Sequence, residues 1–176
     1  MTPRFQKLTL LAHITFSVGW FGAVLPYLAL AIAALASHDE QLVRASILSM
    51  KIIGWCVIVP FSLAALLTGL IQSLGTRWGL FRNWWVVAKF TLTIFAVVVL
   101  LQHMRAVSRM AVMARETSIS SVDLQPELIH SAGGLLVLFA AMTLSVFKPW
   151  GLTPFGRRRA SQPHVVSPVE QQPYPA

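Results

Sequence analysis

Four stretches of this chain stay apolar over lengths of about 20 residues or more, and that length constrains everything else. The runs cover residues 8–36, 52–74, 84–103 and 128–147. A helix rises about 1.5 Å per residue, so about 20 residues cross a hydrocarbon core of roughly 30 Å. Lipid offers no partner for backbone amides and carbonyls, so a crossing segment must satisfy them as a helix or within a closed barrel. The period-two alternation of a barrel strand is absent. The expected fold is all-α: a polytopic transmembrane four-helix bundle formed by residues 1–156. The first run has Arg4 and Lys7 ahead of it and Ala34-Leu35-Ala36 at its end, as a signal peptide would. Its apolar length far exceeds the roughly 7–15 residues of such a segment's core, so it reads as a retained helix. Pro26 and Pro60 fall inside the first and second spans, where a proline removes a hydrogen bond and invites a kink.

Composition points the same way. Hydrophobic residues make up 56% of the chain and charged residues 11%, against about 25% charged in a soluble domain. Fourteen Lys and Arg against six Asp and Glu give a net charge of +8. These basic residues sit between and beyond the apolar runs, where they act as topology signals and meet anionic headgroups. A lipid bilayer is therefore the expected partner, and nucleic acid is not. Four spans place both termini on one side, with Arg4, Lys7, Arg77, Arg82, Lys148, Arg157, Arg158 and Arg159. Arg44, Lys51, Arg105, Arg109 and Arg115 fall on the other. The richer side is cytoplasmic by the positive-inside rule, so both termini are expected in the cytoplasm. Trp78, Trp84, Trp85 and Trp150 gather at that same boundary as an aromatic belt.

Residues 104–115, at the start of the longest loop, have helical spacing and are expected to extend the third helix along the membrane surface. Acidic residues Asp39, Glu40, Glu116, Asp123 and Glu127 are assigned to loops on that far side. Residues 157–176 are rich in proline and poor in large apolar side chains, and read as a disordered tail. Cys56 is the one cysteine, so there is no disulfide framework, and it reads as a small packing residue.

Ionisable side chains within spans are costly and are candidates for function. His13 and Lys89 each lie about five residues into helices that run in the same direction, so both sit roughly 7–8 Å inside the cytoplasmic boundary. His103 and His130 lie near the opposite boundary. Lys89 and His103 share a helix face, as do His13, Ser17, Trp20 and Tyr27, and also His130, Gly134, Val137 and Ala141. Small residues on such faces, with Gly19, Gly22, Gly54 and Gly69, admit a neighbouring helix or a flat cofactor. The plainer alternative is that each of these groups snorkels to the headgroups.

The segment Leu11-Ala12-His13-Ile14-Thr15-Phe16-Ser17-Val18-Gly19-Trp20-Phe21-Gly22 resembles the opening helix of a bacterial membrane superfamily. That superfamily includes the copper-resistance D proteins and the J-type protoporphyrinogen oxidases. Trp85-Val86-Val87-Ala88-Lys89-Phe90 is similar to its third-helix signature, and Phe147-Lys148-Pro149-Trp150-Gly151 is most like an actinobacterial branch. The resemblance spans residues of roughly 8 to 157. In the oxidase branch it implies haem b and essential roles for the residues matching His13 and Lys89. The stretch Ala23-Val24-Leu25-Pro26-Tyr27 departs from that branch's Tyr/Phe-Leu-Pro-Arg pattern, so the oxidase's substrate chemistry is not carried over.

Three readings stand at this point. In the first, haem b lies between helices in a redox or electron-transfer role, with His13 as metal ligand. Lys89 then either ligates opposite or pairs with a propionate, and His103 and His130 hold a second haem about 21 Å away. In the second, His103, Met104, Met110, Met113 and His130 handle copper. In the third, the chain is a cofactor-free structural or partner-binding subunit. A membrane redox partner or a homo-oligomer suits the first reading. No phosphate-binding loop, His-Glu-x-x-His or nucleophile elbow occurs, so any enzyme activity would be redox.

Overall fold

A computed structural model describes residues 2–75, 80–116, 121–147, 151–154 and 157, with the backbone alone for 116 and 121–123. Helix α1 spans Pro3–Ala36, α2 Glu40–Ile53, α3 Val59–Gly75, α4 Trp84–Glu116 and α5 Ser121–Phe147. A π-helical segment, Gly54–Ile58, joins α2 to α3, so Glu40–Gly75 is one continuous rod. The described residues thus include four helices long and apolar enough to cross a membrane, as the apolar runs predict.

What surrounds these helices follows from where their apolar side chains point. Leu8, Leu63, Phe95, Leu136 and Phe147 are among many large apolar residues directed outward, and no more than 28% of any span's most apolar window is buried. In water such a surface would aggregate. Hydrocarbon is the solvent it suits, and the helices satisfy their own backbone within it. The chain is a multi-pass membrane protein with its spans in contact with the bilayer.

The interior is narrow. Trp20, Tyr27, Ala31, Ile58, Ala65, Val97 and Met104 form its main core. At the end bearing the start of α1 and the end of α5, Thr153 N–H donates to Arg82 O at 2.9 Å and Gln6 Nε2 to Gly75 O at 3.3 Å. These bonds fasten the segments around α4 and α5 to each other, and α1 to α3.

The far end differs from expectation. The apolar runs begin at 52 and 128 and stop at 103, yet the helices start at Glu40 and Ser121 and continue to Glu116. Asp39 caps α2 by accepting from Gln41 N–H at 2.9 Å. The added turns carry Arg44, Lys51, Arg105 and Arg109, which interrupt the hydropathy but leave one face apolar. That face builds a second cluster of Ala34, Ile47, Ala111, Ala114 and Leu124. Residues 104–115 therefore do extend the third helix, but they stay inside the bundle instead of lying along the membrane surface.

Pro60 follows the π-helical segment. It has no N–H for the Cys56 carbonyl, and its ring would crowd that carbonyl in a regular helix. The turn ahead of it widens, and Val59 N–H reaches back five residues to Gly54 O. Cys56 is exposed on the apolar flank, not packed inside as expected. Trp84 is exposed at the helix end and Trp85 half-buried. Trp78, Trp150 and the proposed tail from Arg158 onward lie outside the described residues.

Candidate functional site: two polar layers in the bundle

His13 and Tyr27 are fourteen residues apart on α1, and Lys89 and His103 are fourteen apart on α4. Each interval is about 21 Å of helix rise. The bundle therefore carries one polar layer near the end bearing the termini and another toward the far end.

In the first layer, His13 Nδ1 lies 3.0 Å from Ala65 O and 3.2 Å from Thr68 Oγ1. A carbonyl can only accept, so Nδ1 carries the proton and Nε2 keeps a lone pair. The Thr68 hydroxyl donates to Ala64 O at 2.6 Å, which leaves its oxygen free to accept from His13. Gly69 makes this placement possible: a Cβ there would stand 3.0 Å from His13 Cε1. The imidazole is thus held against α3 by the Ala65 carbonyl and the Thr68 hydroxyl.

His13 borders a cavity of about 490 Å³ between α1, α3 and α4. Lys89 lies on its opposite wall, with Trp85 and Phe90 beside it and Gln72 and Ser73 as further polar groups. Lys89 has no carboxylate partner among the described residues. The acidic residues ahead of the tail, Asp39, Glu40, Glu116, Asp123 and Glu127, all belong to the far half of the chain's topology. The two residues that share a depth in the sequence also share a cavity, and among the described residues no carboxylate pairs with its lysine.

The far layer is a closed network. Glu127 is 1% exposed. Its Oε2 accepts from Tyr27 OH at 2.8 Å and lies 2.8 Å from His103 Nε2. Tyr27 OH is also 3.3 Å from His103 Nε2. The His103 and His130 rings stack face to face, with centroids 4.3 Å apart and planes 14° from parallel. His130 Nδ1 donates to Pro126 O at 2.7 Å. The expected outer pair is therefore brought together, but as a stack with no gap between the rings. Glu127, assigned to a loop by sequence, is the centre of this layer, and Tyr27 is its second unassigned member. The available signal was Glu127-Leu128-Ile129-His130, whose i, i+3 spacing sets a carboxylate and an imidazole on one face.

The methionines expected to join a copper site diverge. Met104 is buried against Gly54, Met110 packs on the far cluster and Met113 is 57% exposed. Among the described residues no group of three or more His, Cys, Asp or Glu is placed to hold a metal ion.

Fold and site together define a multi-pass membrane protein whose helices carry two polar layers, His13 with Lys89 and Tyr27 with His103, Glu127 and His130. Comparison with protein-family models, with curated proteins and with solved structures finds no match for the chain.

Proposed function

We propose that this protein holds haem b in the cavity between His13 and Lys89 and serves a redox or electron-transfer role. The observation that carries the reading is the His13 hydrogen bond to the Ala65 carbonyl. Histidines that ligate metals almost always donate their other ring nitrogen in this way, which fixes ring and tautomer. The donor set fits the group: a neutral imidazole nitrogen for the iron, and an ammonium for a propionate carboxylate. The cavity of about 490 Å³ lies within the usual range of roughly 300–1,000 Å³ for cofactor sites, and its wall is mainly apolar and aromatic. Bound there, haem b would supply one-electron exchange at its iron. His13 anchors and orients it, Lys89 neutralises its acidic edge, and Trp85 and Phe90 exclude water. The resemblance of the His13 and Lys89 segments to the oxidase-containing superfamily supports the same pair.

Copper is less favoured: Met104 lines one cavity with His103 and His130, but Met110 packs on the far cluster and Met113 is 57% exposed. A second haem between His103 and His130 would require the stacked rings to separate. A bacterial plasma membrane is the setting the resemblance implies, and the distribution of Lys and Arg supports cytoplasmic termini there.

The test is the optical spectrum of detergent-purified protein supplied with haem. The expected result is a Soret band of stoichiometric intensity, reduced at least tenfold in His13→Ala and weakened in Lys89→Met. Absence of a Soret band in the wild type would overturn the proposal in favour of a cofactor-free subunit.

A further inference from the structure

A second cavity, of about 290 Å³, lies between the two polar layers and reaches the far one. Its walls are Trp20, Val24 and Ile58 on one side and Val99, Val137 and Leu138 on the other. Apart from the Trp20 indole, polar side chains line it only at the end formed by Tyr27, His103, His130 and Ser131. Phe95 and Ile129 also line it, and they are 60% and 69% exposed on the apolar flanks of α4 and α5. The cavity therefore opens sideways between these helices, into hydrocarbon. A ligand entering this way must be lipid-soluble.

Its polar end specifies more. The Nε2 of His103 is committed to Glu127 and Tyr27. His130 donates through Nδ1 to Pro126 O, so its Nε2 remains a hydrogen-bond acceptor. The stack on His103 fixes the ring's orientation. With His130 Nε2 and the Ser131 hydroxyl oxygen, which itself donates to Glu127 O at 2.7 Å, the end of this apolar slot offers acceptors that select a hydroxyl donor on an otherwise apolar ring. The volume is small for a whole drug-sized ligand, so a ring fits inside while any tail stays in lipid. Gly133 and Gly134 border the slot, and a Cβ at either meets nothing within 4 Å, so the space beside them is open.

From this arrangement we infer that the lateral cavity is a binding site for the ring of a lipid-soluble quinol, with His130 accepting a hydrogen bond from a ring hydroxyl. Trp20 and Phe95 flank the ring, and the tail leaves between α4 and α5. The Glu127–Tyr27–His103 network acts as the rigid floor that positions His130. This inference uses none of the residues proposed to hold haem in the cavity between His13 and Lys89, and it stands or falls separately.

The experiment uses the full chain in lipid nanodiscs, titrated with a short-tailed naphthoquinol under argon and followed by calorimetry. Saturable binding at one site per chain is expected. Gly134→Leu, whose Cβ meets no atom within 4 Å, extends into the slot from its open side and should raise the Kd at least tenfold, with helix content and detergent elution unchanged. His130→Ala should raise it similarly, whereas His13→Ala should leave it within twofold. Lack of saturable binding by the wild type would overturn the site, as would an unchanged Kd in Gly134→Leu. Equal binding of a tail analogue without the ring would also overturn it, showing a slot for lipid acyl chains.

Discussion

Replacing Glu127 by Leu removes the acceptor on which the far polar layer is built. The carboxylate is 1% exposed and receives Tyr27 OH at 2.8 Å, with His103 Nε2 at the same distance. Hydrogen bonds involving charged groups contribute roughly 1.5–3 kcal/mol in soluble proteins. Between membrane helices they average nearer 0.6 and reach about 1–2 kcal/mol. Two such bonds are lost, but Tyr27 OH and His103 Nε2 stay 3.3 Å apart and can pair with each other, which places the loss for Glu127→Leu at about 1–3 kcal/mol. Glu127→Gln keeps one acceptor oxygen and should lose about half of that. The assay is reversible unfolding in mixed micelles with increasing denaturing detergent. A double-mutant cycle pairing Tyr27→Phe with Glu127→Gln should show coupling of about 0.5–1.5 kcal/mol. The reasoning fails if Glu127→Leu unfolds within about 0.5 kcal/mol of the wild type, the range of an ordinary surface change. It fails equally if the cycle shows no coupling.

Gly69→Val should press on the His13 ring and lift it from the Ala65 carbonyl, costing about 1–3 kcal/mol by overpacking. The same variant should lose Soret intensity, and unchanged unfolding with full haem uptake would contradict the contact. Lys89→Met removes a cation without a carboxylate partner among the described residues. It should stabilise the haem-free protein by on the order of 1 kcal/mol in the same unfolding assay, and destabilisation would show that Lys89 is paired.

The spans are legible in sequence because hydrocarbon imposes one requirement on every residue that faces it, and a window average captures that. The outer turns are not legible in the same way. Arg44, Lys51, Arg105 and Arg109 sit on helices whose opposite face buries Ile47, Val107 and Ala111, and their charge lowers the average that marks a span. The first polar layer could be read because α1 and α4 run in parallel with equal offsets to His13 and Lys89. Glu127 escaped because an acid at the edge of an apolar run resembles a loop residue. Only packing reveals that Tyr27 and His103 meet it. The contact of Gly69 with His13 joins residues 56 positions apart in the chain, and no local pattern encodes it.

The central claim is that His13, of the five histidines in the chain, presents a free nitrogen to a haem. Electron paramagnetic resonance of the ferric haem-loaded protein, with ¹⁵N-labelled histidine, measures that bond. The account predicts histidine nitrogen coupling in the wild type and in single Ala variants of His38, His103, His130 and His164, with loss only in His13→Ala. Coupling that survives in His13→Ala, or disappears in His103→Ala or His130→Ala instead, would contradict it.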